Sequence, residues 1–234
     1  MAAATQEIIN KKSNEDSQST WNNKDNIGFY ENVPIDVLRE MAVVGGFENG
    51  CDVNLIYPLI ENAASILEVG AAYGRVINRL LQNGYDGKVY AIERSSNFYH
   101  YLKQSFPAQA EIIHADVMDY QLPFKVDVVL YMWSNISEFP KEQQPDVLKH
   151  LSSWINTDGM LIVETSAHTI TPQNATHFQN QTYQVNTPYG TGYGYIPSSE
   201  EIEEYARKAG FKKIHHLPYK TDRNRERIVH VLRF

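Results

Sequence analysis

The sequence predicts an α/β protein built on a mostly parallel sheet, and three observations carry that prediction. The run Ile66-Leu67-Glu68-Val69-Gly70-Ala71-Ala72-Tyr73-Gly74-Arg75 reads as a buried strand, a small-residue turn and a helix start. A second strand, Val89-Tyr90-Ala91-Ile92, ends on an acid, Glu93, nineteen residues after Gly74. Strands and helices then alternate through the middle of the chain, the signature of parallel βαβ units.

In chain order, residues 1–20 are polar and unpatterned and are expected to form a disordered tail. Residues 21–62 read as an N-terminal helical cap. Val33-Pro34-Ile35-Asp36 starts one helix, which runs through Leu38 and Met41 and stops near Gly45-Gly46; Asp52 caps a second, with Leu55, Ile56, Leu59 and Ile60 on one face. Residues 63–234 hold the core. Its strands are expected at Ser65 to Val69, Lys88 to Ile92, Glu111 to His114, Val126 to Met132, Met160 to Glu164, Ile214 to Tyr219 and Ile228 to Leu232. Linking helices begin near Arg75, Ser96 and Glu142, and the last ends at the polar turn Thr157-Asp158-Gly159. Ser198-Ser199-Glu200-Glu201 offers a capping box for a helix that ends at Gly210.

Residues 166–197 interrupt this core where a short loop would suffice. The insertion carries His168, His177, Tyr183, Tyr189, Tyr193 and Tyr195. Gln179 to Val185 alternates as a hairpin strand, with Asn186-Thr187-Pro188-Tyr189-Gly190 as its turn. Unstructured loops of this length are uncommon in compact domains unless they serve a function.

Composition narrows the class. The 234 residues suit one core, with 42% hydrophobic and 21% charged residues. A net charge of −7 and a pI near 5.6 argue against nucleic acid as the partner. The basic stretch Arg223, Arg225 and Arg227 reads as solvated charge around the last two strands. The one cysteine, Cys51, reads as a helix-start residue and fits a reducing compartment. No apolar run approaches a membrane span and the N-terminus lacks a secretory apolar core, so a cytoplasmic protein is expected. The sequons at Asn135, Asn174 and Asn180 then read as chance matches.

An acid at the Glu93 position, after a glycine turn, is where nucleotide-binding α/β folds hold a ribose diol. A dinucleotide turn needs glycines at its first, third and sixth positions, so that backbone meets pyrophosphate. Here those positions hold Gly70, Ala72 and Arg75. The pattern present, acid-x-Gly-x-x-x-Gly, resembles the first motif of the class I S-adenosylmethionine (SAM) dependent methyltransferases. The resemblance extends over roughly residues 63–166 and 197–234. It implies a seven-stranded, mostly parallel Rossmann-like sheet with helices on both faces and an antiparallel last strand.

The resemblance also assigns roles. Gly70, Ala72 and Gly74 would form the cofactor turn, and Glu93 would take the ribose diol. Glu68 would sit near the sulfonium and amino group of SAM. Arg75 would orient Glu68 or the cofactor carboxylate, or face solvent. Asp116 would accept from the adenine amino group, with Val117 against the ring. Past the fourth strand the family faces both sulfur and acceptor. Neither an Asn/Asp-Pro-Pro-aromatic run nor a metal-binding acid set stands there, and Tyr131 occupies the place of a metal-ligating acid; no metal is expected. Tyr131, Met132, Trp133 and Asn135 form a mostly aromatic lip, with Trp133 lining the acceptor cavity. The insertion would cover the active site, with Tyr183 and His177 as acceptor contacts and His168 as the general base; a dimer-contact arm is the other reading.

The expected function is methyl transfer from SAM to a small aromatic or amine-bearing acceptor, leaving S-adenosylhomocysteine. The alternatives are a SAM- or S-adenosylhomocysteine-binding protein without chemistry, or a protein or RNA acceptor. A homodimer is left open.

Overall fold

A computed structural model of the chain describes residues 21–167 and 175–234, apart from the side chains of His177 and Phe178. The main sheet contains β1 (Ser65–Val69), β2 (Lys88–Glu93), β3 (Glu111–His114), β4 (Val126–Tyr131) and β5 (Ile155–Ser166). A separate antiparallel sheet follows, made of β6 (His177–Gln179), β7 (Thr182–Thr187) and β8 (Gly190–Tyr195). The chain returns to the main sheet with β9 (Lys213–Lys220) and β10 (Glu226–Arg233), giving the order β3-β2-β1-β4-β5-β10-β9. Strands β1 to β5 pair in parallel, while β10 lies antiparallel to both β5 and β9.

Helices cover both faces, as a parallel sheet requires when its strands are apolar on both sides. They are α1 (Ile27–Asn32), α2 (Ile35–Gly45), α3 (Cys51–Ile60), α4 (Arg75–Gln82), α5 (Ser96–Ser105), α6 (Gln144–Ser152) and α7 (Ser199–Lys208). On one face Ile56 and Ile60 of α3 and Ile77 and Leu80 of α4 pack on Ile66, Ala91 and Leu130. On the other, Val147 and Leu151 of α6 and Ile202 of α7 pack on Leu67, Val69 and Val129. Each such side chain taken out of water stabilises the fold by about 1.5–3 kcal/mol. The capping box at Ser198 forms, with Ser198 Oγ accepting from the Glu201 N–H. Gly46, at φ 82°, closes α2 in the left-handed conformation a side chain resists.

Four local expectations are corrected. Asp52 does not cap α3; Gly50 does, and Asp52 turns inward instead. Leu55 and Leu59 are 37% and 40% exposed, because the buried stripe runs Val53, Ile56, Ile60. The turn Thr157-Asp158-Gly159 lies inside β5 as an irregularity. Pairing to β4 jumps from Val126↔Ile155 to Val128↔Met160, and Asn156 Nδ2 donates to Asp127 Oδ1 at 2.8 Å across it. The stretch Gln179 to Val185 is not one strand: Asn180 and Gln181, at φ 48° and 64°, turn the chain back and create β6.

The cap and the inserted sheet are bound together. Asn26 is 1% exposed; its Nδ2 donates to the Tyr193 and Glu138 carbonyls, and its Oδ1 accepts from the Tyr193 N–H at 2.8 Å. Gln144 Nε2, fully buried, reaches the carbonyls of Ile136, Phe139 and Tyr195. Trp21 stacks on Tyr193 with centroids 5.8 Å apart. These contacts join the cap to β8 and to the segment that follows β4.

Candidate active site

The chain leaves β1 for β2 and β3 on one side, then returns to β4 on the other. The carboxyl ends of β1 and β4 therefore diverge, and a crevice opens between them. A cavity of about 340 Å³ fills that crevice. Its walls include Glu68, Gly70, Ala72, Arg75, Glu93, Val117, Tyr131, Trp133 and Tyr183.

The turn after β1 is built around Glu93. Ala72 adopts φ 48°, costly for a residue with a Cβ, and its N–H donates to Glu93 Oε2 at 2.7 Å. Glu93 Oε1 accepts from the Ser95 N–H at 2.8 Å, so one carboxylate fixes two backbone segments. Burial pushes Glu93 up to about 7, against the pull of those two donors. Gly70, at φ 70°, passes under Asn135, whose Nδ2 donates to the Val69 carbonyl at 2.8 Å. Gly74, at φ 79°, starts α4 where an added Cβ would strike Phe106.

Glu68 is 4% exposed, and burial pushes its carboxyl up to about 8 although Arg75 pulls the other way. Arg75 does not face solvent. Its two terminal nitrogens clasp Asp52 of α3 at 2.8 and 2.6 Å. Burial pushes Asp52 up, but the Arg75 charge and hydrogen bonds, with smaller help from the Val53 N–H and Arg227, together hold it below its ordinary value. Glu68 Oε2 and Arg75 Nε are both buried here without a hydrogen-bond partner among the described residues.

Asp116 does not line the cavity; Ala115 and Val117 do. Its Oδ1 caps the Met118 N–H at 3.0 Å, as acids after strands often do, and its Oδ2 lies 3.7 Å from Arg94. Tyr131 is 2% exposed and its hydroxyl donates to the Asn135 carbonyl at 3.1 Å, bracing the lip from beneath. His168 lies outside the described residues. His177 begins β6.

Several residues that local pattern did not single out join the cavity. Arg227 is 9% exposed rather than solvated. It donates to Glu164 Oε1 at 2.5 Å and Oε2 at 2.7 Å, to Ser166 Oγ at 2.6 Å and to Ser134 Oγ at 2.9 Å. The pair steadies Trp133 and Ser134, which adopt φ 52° and 58° just past β4. Phe47 of the cap lies between two guanidinium groups, Arg75 at 5.0 Å and Arg227 at 5.2 Å. Across the cavity Arg94 Nη2 donates to Glu138 at 3.0 Å beside Tyr30. The signal that could have found these residues is the apolar context of Glu164 and Arg227 within their strands.

Residues 66–159, which contain the turn, Glu93 and the lip, match the family described as "Methyltransferase domain". The fold is that of the class I S-adenosylmethionine-dependent methyltransferases. Solved methyltransferase structures share it along most of the chain. Magnesium protoporphyrin IX methyltransferase from Synechocystis PCC 6803 is 18% identical, with TM-score 0.64, over 93% of this chain and 100% of that one. The CcbJ methyltransferase from Streptomyces caelestis is 15% identical, with TM-score 0.67, over 88% and 98%. CalS10, an amino pentose methyltransferase from Micromonospora echinaspora, is 13% identical, with TM-score 0.61, over 83% and 96%. No curated protein matches the chain in sequence.

Proposed function

We propose that this protein is a methyltransferase that moves the methyl group of SAM to a small acceptor carrying an aromatic ring or an amine. The observation that carries the donor half is the pair of buried, unpartnered atoms on β1 and at the start of α4. Glu68 Oε2 needs a donor and Arg75 Nε needs an acceptor, and an amino-acid head supplies an ammonium and a carboxylate. Leaving such groups unsatisfied costs about 1–3 kcal/mol each, so a ligand that completes them is favoured.

Glu93 fits a ribose. A carboxylate has about four lone-pair sites, and backbone donors from Ala72 and Ser95 use two of them. The remaining sites match the two donors of a vicinal diol. Ala115 and Val117 offer apolar contact for a purine. When bound, SAM supplies a methyl group on a sulfonium, already a good leaving group. The chain has then to orient the acceptor and keep water out, and such positioning accounts for about 7–11 kcal/mol of barrier lowering in favourable cases.

The aromatic wall supports the acceptor class. Phe29, Tyr30, Trp133 and Tyr183 surround the same cavity, and such faces stack on a ring or hold a cation. The shared fold with an amino pentose methyltransferase is consistent with an amine.

Calorimetry with SAM and S-adenosylhomocysteine, followed by a product assay on an acceptor panel, tests the reading. Glu93→Ala is expected to weaken cofactor binding by about 1.5–3 kcal/mol, the worth of a charge-assisted hydrogen bond. An unchanged dissociation constant removes the ribose assignment. Tight binding with no product on any acceptor supports a binding module without chemistry.

A further inference from the structure

Beyond the donor half, the cavity carries a carboxylate with no part in the roles above. Glu138 ends the 3₁₀ turn Asn135–Glu138 and lines the cavity opened by Glu68 and Glu93. Arg94 Nη2 donates to its Oε2 at 3.0 Å, the Tyr30 hydroxyl donates to it as well, and its side chain keeps 19% exposure. Beside it the Ser137 hydroxyl is buried and has no partner among the described residues. Tyr183, from the inserted sheet, lines the same cavity, and burial, followed by the nearby Glu138 charge, raises its hydroxyl.

These groups come from three separate elements. Tyr30 belongs to α1, Ser137 and Glu138 follow β4, and Tyr183 belongs to β7. The cap and inserted sheet that hold them are pinned by Asn26, which bonds to both Tyr193 and the Glu138 carbonyl. An unpartnered hydroxyl next to a carboxylate suits a ligand group with a proton to give.

We propose that Glu138 is the proton acceptor for the group that is methylated, an N–H or O–H nucleophile held by Ser137 and Tyr183. This rests on the methyltransferase reading above and deepens it. The nucleophile's lone pair takes the methyl carbon while the carbon–sulfur pair stays on sulfur. The nucleophile's proton passes to the Glu138 carboxylate and from there to solvent, so one proton is released per turnover. Burial raises Glu138 and Arg94 restrains the rise, with Tyr30 lowering and Asp116 raising it further. A carboxyl so balanced holds a proton more readily than an exposed one.

The Arg94–Glu138 pair is also a strut between the end of β2 and the lip, so a simple loss of activity does not decide the matter. The test compares wild type, Glu138→Gln and Glu138→Asp, using SAM and the first phenol or alkylamine in a panel that yields S-adenosylhomocysteine. Glu138→Gln is expected to lower kcat at neutral pH by at least tenfold and to remove the acid limb of the pH profile. S-adenosylhomocysteine affinity by calorimetry should stay within about twofold, and Glu138→Asp should restore part of the rate and the acid limb. An unchanged profile in Glu138→Gln overturns the proposal. So does a large loss of S-adenosylhomocysteine affinity, which would place Glu138 on the purine side. Failure of wild type to bind either cofactor form overturns the underlying reading instead.

Discussion

The two walls of the cavity are built on different principles. The wall proposed for the donor is local: Glu68, Gly70, Ala72 and Glu93 sit on two adjacent strands and one turn, and the Glu93 carboxylate ties that turn, through Ala72, to the segment after β2, through Ser95. The wall proposed for the acceptor is assembled from distant segments. Tyr30 comes from the cap, Trp133 from the lip, Tyr183 from the insertion and Arg227 from the last strand. A fold can keep the first wall while redrawing the second, because most of the second comes from the cap, the lip and the insertion. That independence is open to experiment.

The largest effect is expected at the foundation of the acceptor wall. Arg227 and Glu164 form a buried pair, with Tyr219 donating to Glu164 at 2.8 Å and Ser134 and Ser166 filling further sites. Arg227→Met leaves Glu164 charged and unpaired, at a cost of about 3–5 kcal/mol in denaturant unfolding. Adding Glu164→Gln should recover part of it. With the turn at Trp133 and Ser134 released, acceptor KM should rise while cofactor affinity holds. Loss of cofactor binding from a folded Arg227→Met protein would show that the walls are one unit.

The same sheet edge carries a pH signature that the donor wall opposes. His230 is fully buried on β10, its Nδ1 2.7 Å from His216 Nδ1 and its Nε2 2.9 Å from Thr165 Oγ1. Burial, and then His216, lower its pKa from 6.5 to about 3; Glu203 lies 3.7 Å from His216 Nε2. Between those values the unfolded chain binds a proton that the folded chain refuses. The stabilising contribution is full above about 6.5 and declines as pH falls, by about 2 kcal/mol between pH 7 and pH 5. Glu68, pushed up to about 8, acts in the opposite sense and favours the folded state toward low pH. Urea titrations at both pH values on wild type and His230→Phe isolate the histidine part: the variant should lose that share of the slope. Equal slopes would mean that His230 titrates normally.

The contrast between the walls also explains what the sequence could and could not reveal. Glu93 and the glycine turn were legible because their spacing is fixed by one βαβ unit. The seven-stranded sheet was legible because each core strand is an apolar run of suitable length. Asp116 was placed on position alone, and its nearer partners, the Met118 N–H and Arg94, keep it out of the cavity wall. Arg227 reads as solvated because two further arginines, Arg223 and Arg225, crowd the turn before it, while its partner Glu164 lies 63 residues away. Asn26 and Gln144 gave no local signal at all. A buried amide that joins two nearby carbonyls to one 51 residues away is visible only after the chain has folded.

The smallest effect falls at the tip of the acceptor wall. Tyr183 lines the cavity from β7, and burial, followed by the nearby Glu138 charge, pushes its hydroxyl up to about 12. Tyr183→Ala removes one aromatic face, worth about 0.5–1.5 kcal/mol beyond its buried area, so acceptor KM should rise roughly three- to tenfold. Cofactor affinity by calorimetry should not change, since no donor-wall bond involves Tyr183. Gly194→Ala gives an independent check, because a Cβ there would lie 2.3 Å from the Tyr183 ring and force it to move. Both variants should therefore shift KM in the same direction. If either one instead abolished cofactor binding, the inserted sheet would be clamping the donor, and the division between a local and an assembled wall would fail.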